Sequence, residues 1–204
     1  MRETGTPQQS DGDSEIDAAD MRRLNGGHDA ALNDLMSRHA EKLFNYLNRL
    51  LQNEEDAADV AQETFLRIYQ NRNRFDPKQK FSTWLYAIAS NLVKDRYRWR
   101  TRHPQVSIDA ESNEGGSSLG ETISDPTASP VDTAQQQERA DSIRKAIAAL
   151  PEDLRTPLIL AEYEEKPQAE IAEILGCSIK AVETRIYRAR QRLRKDLASL
   201  LALG

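Results

Sequence analysis

EIAEILGCSIKAVETRIYRARQRLR, residues 170–194, is the stretch that decides the fold. Ile171, Ala172 and Leu175 recur at helical spacing behind Pro167, a residue suited to a first helical turn. Ala172 is small, so a second helix can cross close by. Gly176 stands where the chain must turn sharply, and glycine does so at no steric cost. The Ser178 hydroxyl can cap the next helix. On that helix Val182, Ile186, Ala189, Leu193 and Leu197 share one face, which must be the buried one. The other face presents Lys180, Thr184, Tyr187, Arg188, Gln191 and Lys195. These are donors for phosphates and base edges, and Arg and Gln can contact bases bidentately in the major groove. The pattern predicts a helix-turn-helix, against the plainer reading of a helical hairpin with a solvated basic face.

Upstream, Ile143, Ala146, Ile147 and Leu150 form a short stripe that stops at Pro151, and Leu154, Leu158, Ile159 and Ala161 a second. Residues 135–204 therefore read as one small helical domain. Residues 104–134 are rich in Ser, Gly, Pro, Asp and Glu without periodicity, which predicts a flexible acidic linker. Residues 16–103 are helical throughout. Ala31, Leu32, Leu35, Met36, Leu43, Phe44, Leu47 and Leu51 recur at amphipathic spacing. Asn53 precedes Glu54, Glu55 and Asp56, an N-cap followed by acids that favour the helix dipole. Asp76-Pro77 signals a turn. A last helix then carries Phe81, Trp84, Leu85, Ile88, Leu92 and Trp99 on one stripe. This places Trp84 and Trp99 in the core and leaves Tyr97 as the exposed aromatic. Residues 1–15 are acidic, Ser/Gly-rich and aperiodic, and are expected to form a disordered tail. The fold class is all-α, with two small helical domains and no strand pattern.

The chain has 204 residues and a net charge of −5. That total hides two basic blocks. Residues 91–103 hold Lys94, Arg96, Arg98, Arg100 and Arg102 against Asp95 alone. Residues 178–196 hold Lys180, Arg185, Arg188, Arg190, Arg192, Arg194 and Lys195 against Glu183 and Asp196. Cys177 is the single cysteine, so no internal disulfide forms. No signal peptide or membrane-length apolar run is visible, and the chain is expected to be soluble and cytoplasmic. Gly26-Gly27 lacks the Lys-Ser/Thr of a phosphate loop, and His28, His39 and His103 are scattered, so neither an enzyme nor a cofactor or metal site is expected.

Four segments together resemble the extracytoplasmic-function sigma factors, in that family's order: DAADVAQETFLRIYQ (56–70), FSTWLYAIASNLVKDRYR (81–98), LPEDLRTPLIL (150–160) and residues 170–194. The resemblance covers about three-quarters of the chain. It implies a sigma-2 domain at 16–103, a sigma-4 domain at 135–204, and action within RNA polymerase holoenzyme on promoter DNA. By resemblance, Asp56, Asp59, Gln62 and Glu63 dock on the β′ clamp helices of core polymerase, whereas residue types alone allow a solvated face. Sigma-4 would meet the β flap. Asn91 would hold a flipped base of the −10 element, with Lys94, Tyr97, Arg98 and Arg102 around it. Ser178, Lys180, Thr184, Tyr187, Arg188 and Gln191 would face the −35 element. Glu183 departs from the basic residue found there in some members, though an acid can accept from cytosine N4. The linker would thread the polymerase cleft, and an anti-sigma protein would be a further partner. Two rivals are a free helix-turn-helix regulator, which would bind duplex DNA alone, and a helical adaptor, which would not need its basic faces.

Overall fold

The computed structural model describes residues 7–103 and 130–198, and among these all regular structure is helical. Four long helices build the N-terminal half: α1 (Pro7–Asn25), α2 (Ala30–Leu51), α3 (Glu54–Gln70) and α4 (Phe81–Arg102). A 3-10 turn, Arg72–Arg74, leads from α3 towards α4. The C-terminal half holds α5 (Pro130–Ala148), α6 (Glu152–Glu162), α7 (Gln168–Leu175) and α8 (Ile179–Asp196).

Local chemistry sets the boundaries. Asn53 accepts the Asp56 amide at 2.8 Å, the cap expected for α3, with Glu54 and Glu55 in the first turn. The α2 stripe delivers Leu35, Leu43, Tyr46, Leu47 and Leu50 to the core with no exposure. Leu85, Ala89 and Val93 of α4 and Val60, Phe65 and Ile68 of α3 close the same core. Phe75, Phe81 and Trp84 pack edge-on and tilted against one another at the start of α4, so Trp84 lies against the core as expected.

Helix α1 begins at Pro7, which corrects the expectation of an unstructured tail for residues 7–15. Its later turns bury Met21 and Leu24, and bury Asp17 and Asp20 against α2. Arg38 donates to Asp17 at 3.0 Å and to Asp20 at 2.5 Å, and His39 lies 2.8 Å from Asp17. Asp13 and Glu15 stay exposed, so their polar side chains suit a solvated helical turn as well as a tail; docking begins at Asp17 and runs through ion pairs. Residues 104–129 of the expected linker lie outside the described residues, and its last five belong to α5.

The two halves touch. Helix α4 packs on α7, and α2 on α6. Buried Arg155 of α6 donates to the Leu50 carbonyl of α2, and Tyr86 of α4 donates to Glu164. Two small domains on a tether do not require this contact.

Candidate nucleic-acid interface

The C-terminal site is built on the α7–α8 corner. Gly176 takes φ +60°, and the Cys177 amide donates back to Ala172 at 3.0 Å, which seals the end of α7. Ser178 accepts the Ala181 amide at 3.2 Å and opens α8. Val182, Ile186 and Ala189 are buried, Leu193 and Leu197 half-buried. That fixes the outward face. Lys180, Tyr187, Arg188 and Gln191 are exposed, Tyr187 at 64%. Thr184 is half-buried, its hydroxyl donating to the Lys180 carbonyl at 2.8 Å. Ser178 faces solvent but spends its oxygen on the cap. Glu183 pairs with Lys180 at 3.2 Å, so on the free surface it offsets a neighbouring cation. An exposed helix bearing Tyr, Arg and Gln can enter a major groove, with its flanking cations on phosphates.

The second basic surface lies on the C-terminal turns of α4. Asn91, Lys94, Arg98 and Arg102 are all exposed along it. Arg98 lies a loose 3.9 Å from Asp95, and Arg102 donates to the Arg98 carbonyl at 3.2 Å. The two aromatics exchange their expected places. Tyr97 is half-buried, donates to the Leu50 carbonyl at 2.8 Å and accepts from Arg155 at 2.8 Å. Trp99, expected in the core, is 47% exposed and stacks on His103 with centroids 5.0 Å apart. The last fully enclosed apolar residue of α4 is Val93, so the stripe runs past its partners and leaves Trp99 in solvent. Stacking on an unpaired base suits the exposed Trp99 better than the half-buried Tyr97, whose hydroxyl is held by Leu50 and Arg155.

Adjoining this surface, and sharing Trp99 and Arg102 with it, is an open groove of about 1980 Å³ between α2, α3 and α4. Met36, Leu66 and Trp99 give it an apolar floor, and Leu66 is 48% exposed. Asp59, Gln62 and Glu63 line the α3 wall, and Arg100 and Arg102 line the α4 side. Glu63 is held by Arg67 at 2.8 Å. Three of the four residues expected to meet polymerase thus share one rim. Asp56 does not join them: it is 9% exposed and accepts from both Arg96 and Arg100. Its position in the first turn suggested a solvent-facing acid; the tertiary fold brings two guanidiniums of α4 over it instead. Sequence reasoning also missed Leu66, Arg155 and Glu164, none of which carries a local signal, and it set Met36 on the α2 core stripe, whereas Met36 is exposed in the groove.

Buried titratable groups support the fold rather than any catalysis. Burial raises the Tyr86 hydroxyl, and the charge of Glu164 and the bond to it raise it further, so Tyr86 stays a donor. Burial likewise lifts Tyr46, which shares a 2.8 Å hydrogen bond with Ser90. Among the described residues no cluster of His, Cys, Asp or Glu could hold a metal, and no helix is long and apolar enough to cross a membrane.

Two patterns match this geometry. Sigma-70 region 2 matches residues 35–103, and Sigma-70 region 4 matches residues 140–193. The first carries α4 and the groove, the second the helix-turn-helix. A helical protein with this pair of regions is an RNA polymerase sigma factor: it binds core polymerase and promoter DNA, directs promoter-specific initiation, and performs no catalysis itself. The ECF RNA polymerase sigma factor SigW of Bacillus subtilis is 36% identical over 182 residues, 88% of this chain and 96% of SigW. The ECF RNA polymerase sigma-E factor of Escherichia coli K12 is 31% identical over 185 residues, 89% of this chain and 94% of its own length. The chain belongs to the ECF sigma factors. Its fold is similar to that of CnrH in complex with the cytosolic domain of CnrY, with TM-score 0.65 and 26% identity over 90% of this chain and 98% of that one.

Proposed function

We propose that the half ending at residue 103 docks on core polymerase and reads the −10 element, while the half from residue 135 reads the −35 element. The observation that carries this division is the placement of exposed cations on two helical faces, one in each half, with the acid-rimmed apolar groove beside the α4 face. Asp59, Gln62, Glu63 and Leu66 form the polymerase contact, by polar complementarity around an apolar anchor to the β′ clamp helices. Asn91 holds an extruded base, Lys94, Arg98 and Arg102 take phosphates, and Trp99 replaces Tyr97 as the stacking group. Lys180, Tyr187, Arg188 and Gln191 face the −35 duplex, with Ser178 and Thr184 bracing the helix. Sigma-4 contacts the β flap. CnrH is in complex with the cytosolic domain of CnrY, which supports an anti-sigma protein as a further partner here, acting in the cytoplasm.

Run-off transcription with purified core enzyme tests this reading. Specific transcripts appear only when the chain is added. Charge reversal at Lys94 and Arg98 abolishes them on promoters that need strand opening, while binding to a −35 duplex persists. Transcription that survives both reversals removes α4 from the promoter.

A further inference from the structure

We propose that Asp56 sets promoter discrimination by holding two of the five cations of α4 away from DNA phosphates. The proposal rests on the promoter reading of α4 given above.

Helix α4 carries Lys94, Arg96, Arg98, Arg100 and Arg102, five cations within residues 94–102. At about 100° per residue they sort into two rows. Lys94, Arg98 and Arg102 fall on the side that holds Asn91, and all four are exposed. Arg96 and Arg100 fall about 180° from the middle of that row. The rows also border different concavities. Arg96 and Arg100 line the groove between α2, α3 and α4, whereas Lys94 and Arg98 line a separate cleft beside Tyr97.

Asp56 acts on the second row alone. One of its oxygens accepts from Arg96 and the other from Arg100, so both are engaged. The carboxylate has little freedom to leave. It stands in the first turn of α3, where Asn53 accepts the Asp56 amide at 2.8 Å, and it is nearly enclosed. Charge-assisted bonds of this kind are among the strong ones. Asp95 offers the contrast: it lies 3.9 Å from Arg98, with both side chains mostly in solvent, a pair that a phosphate displaces readily.

The consequence is electrostatic. A helix offering five cations grips any phosphate backbone, whatever its sequence, and each further contact adds released counterions. A promoter-directed protein depends instead on the ratio of specific to non-specific binding. Pinning Arg96 and Arg100 withdraws two sequence-independent contacts and leaves the row beside Asn91. Asp56 is therefore a positioning residue, which acts through the two arginines. Their side chains are 31% and 47% exposed, so loss of Asp56 releases them at the surface, within reach of a phosphate.

Fluorescence anisotropy tests this, with the full-length chain titrated into a random-sequence single-stranded oligonucleotide from about 50 to 200 mM salt. Asp56→Asn steepens the salt dependence by about two phosphate contacts, so that its affinity falls about sevenfold further than wild type across that range. Arg96→Gln/Arg100→Gln keeps the wild-type slope, and adding it to Asp56→Asn restores that slope. A merely structural tie would shift thermal unfolding without this reversal. Holoenzyme assembled with Asp56→Asn separates promoter from random-sequence DNA less well than wild type. A folded Asp56→Asn chain with the wild-type slope overturns the proposal, as does a triple variant that stays steep. Unchanged discrimination by the holoenzyme overturns the role in specificity. Should Asp56→Asn lose helix by circular dichroism, Arg96→Gln/Arg100→Gln decides alone: the wild-type slope upholds the proposal, and a shallower one shows that these arginines already grip DNA and overturns it. Lys94→Gln/Arg98→Gln tests the other row. A slope it leaves unchanged refutes the promoter reading of α4, whereas the masking stands or falls on the Asp56→Asn slope.

Discussion

Asp56 accepts hydrogen bonds from Arg96, forty residues further on, and thereby ties the start of α3 to the C-terminal turns of α4. Arg100 closes on its other oxygen. The acid is nearly enclosed, whereas Arg96 and Arg100 remain partly in solvent, so its removal frees the guanidiniums without burying them. Asp56→Ala should destabilise the N-terminal half by about 1–3 kcal/mol, read as a lower midpoint in urea unfolding at unchanged slope. A midpoint equal to wild type would show that water replaces the carboxylate at no cost.

Asp59, one turn away and exposed, should behave in the opposite manner. Asp59→Arg leaves stability within about 0.5 kcal/mol, because nothing is buried by it. It weakens capture of core polymerase in a pull-down, because it reverses charge on the rim of the groove. Equal capture would take the α3 wall out of the interface.

Arg188 stands exposed on the outward face of α8. If it pairs with a base edge, Arg188→Ala lowers promoter affinity by about 1–3 kcal/mol and relaxes preference at one position of the −35 element. A loss spread equally over all sequences, with a shallower salt dependence, would make it a phosphate contact. Binding titrations on single-substitution duplexes separate the two.

Gly176, at the α7–α8 turn, takes a conformation that forbids a cheap replacement. Nothing lies within 4 Å of where a Cβ would stand, so the penalty is backbone strain at φ +60° and not a clash. Gly176→Ala should cost about 1–2 kcal/mol, and Gly176→Asn less, because Asn tolerates this region. Thermal unfolding of the two variants gives the order directly.

Acid should loosen α1 first. Burial on its own would raise the Asp20 carboxyl, but hydrogen bonds from Arg38 and Arg23, with their charges, hold it below the usual carboxylate range. A carboxyl with a depressed folded pKa contributes stability above its unfolded value, about 3.9, and that contribution fades as pH falls through the folded value. Hydrogen exchange along α1 should therefore accelerate below about pH 4, and Asp20→Asn should show fast exchange already at neutral pH. Exchange in α1 that tracks the rest of the protein at every pH would show that these pairs do not hold the helix.

Much of the site was legible because it depends on neighbours within a turn or two. Gly176, Ser178 and the Val182–Ile186–Ala189 face fix which side of α8 meets solvent, and all three can be read from spacing. Tyr97 and Trp99 show where such reading fails. Periodicity says which side of α4 a residue occupies, but not where the partner helix stops. Trp99 lies on the correct stripe beyond the end of its partners, while Tyr97 meets Arg155 from a helix more than fifty residues away. The later turns of α1 hid their packing for a related reason: Asp17 and Asp20 look like solvated acids until Arg38 and His39 are brought against them.

The amino-acid order alone settled an all-helical chain, its caps and breaks, the helix-turn-helix and the two basic blocks, since each follows from backbone geometry and side chains a few residues apart. The tertiary structure alone decided that Asp56 is buried, that Trp99 is outside and Tyr97 inside, and that the halves meet through Arg155 and Glu164. Trp99 is outside because its stripe outruns the packed helices; the other outcomes turn on hydrogen bonds between groups forty to more than a hundred residues apart, whose partners only the folded chain selects.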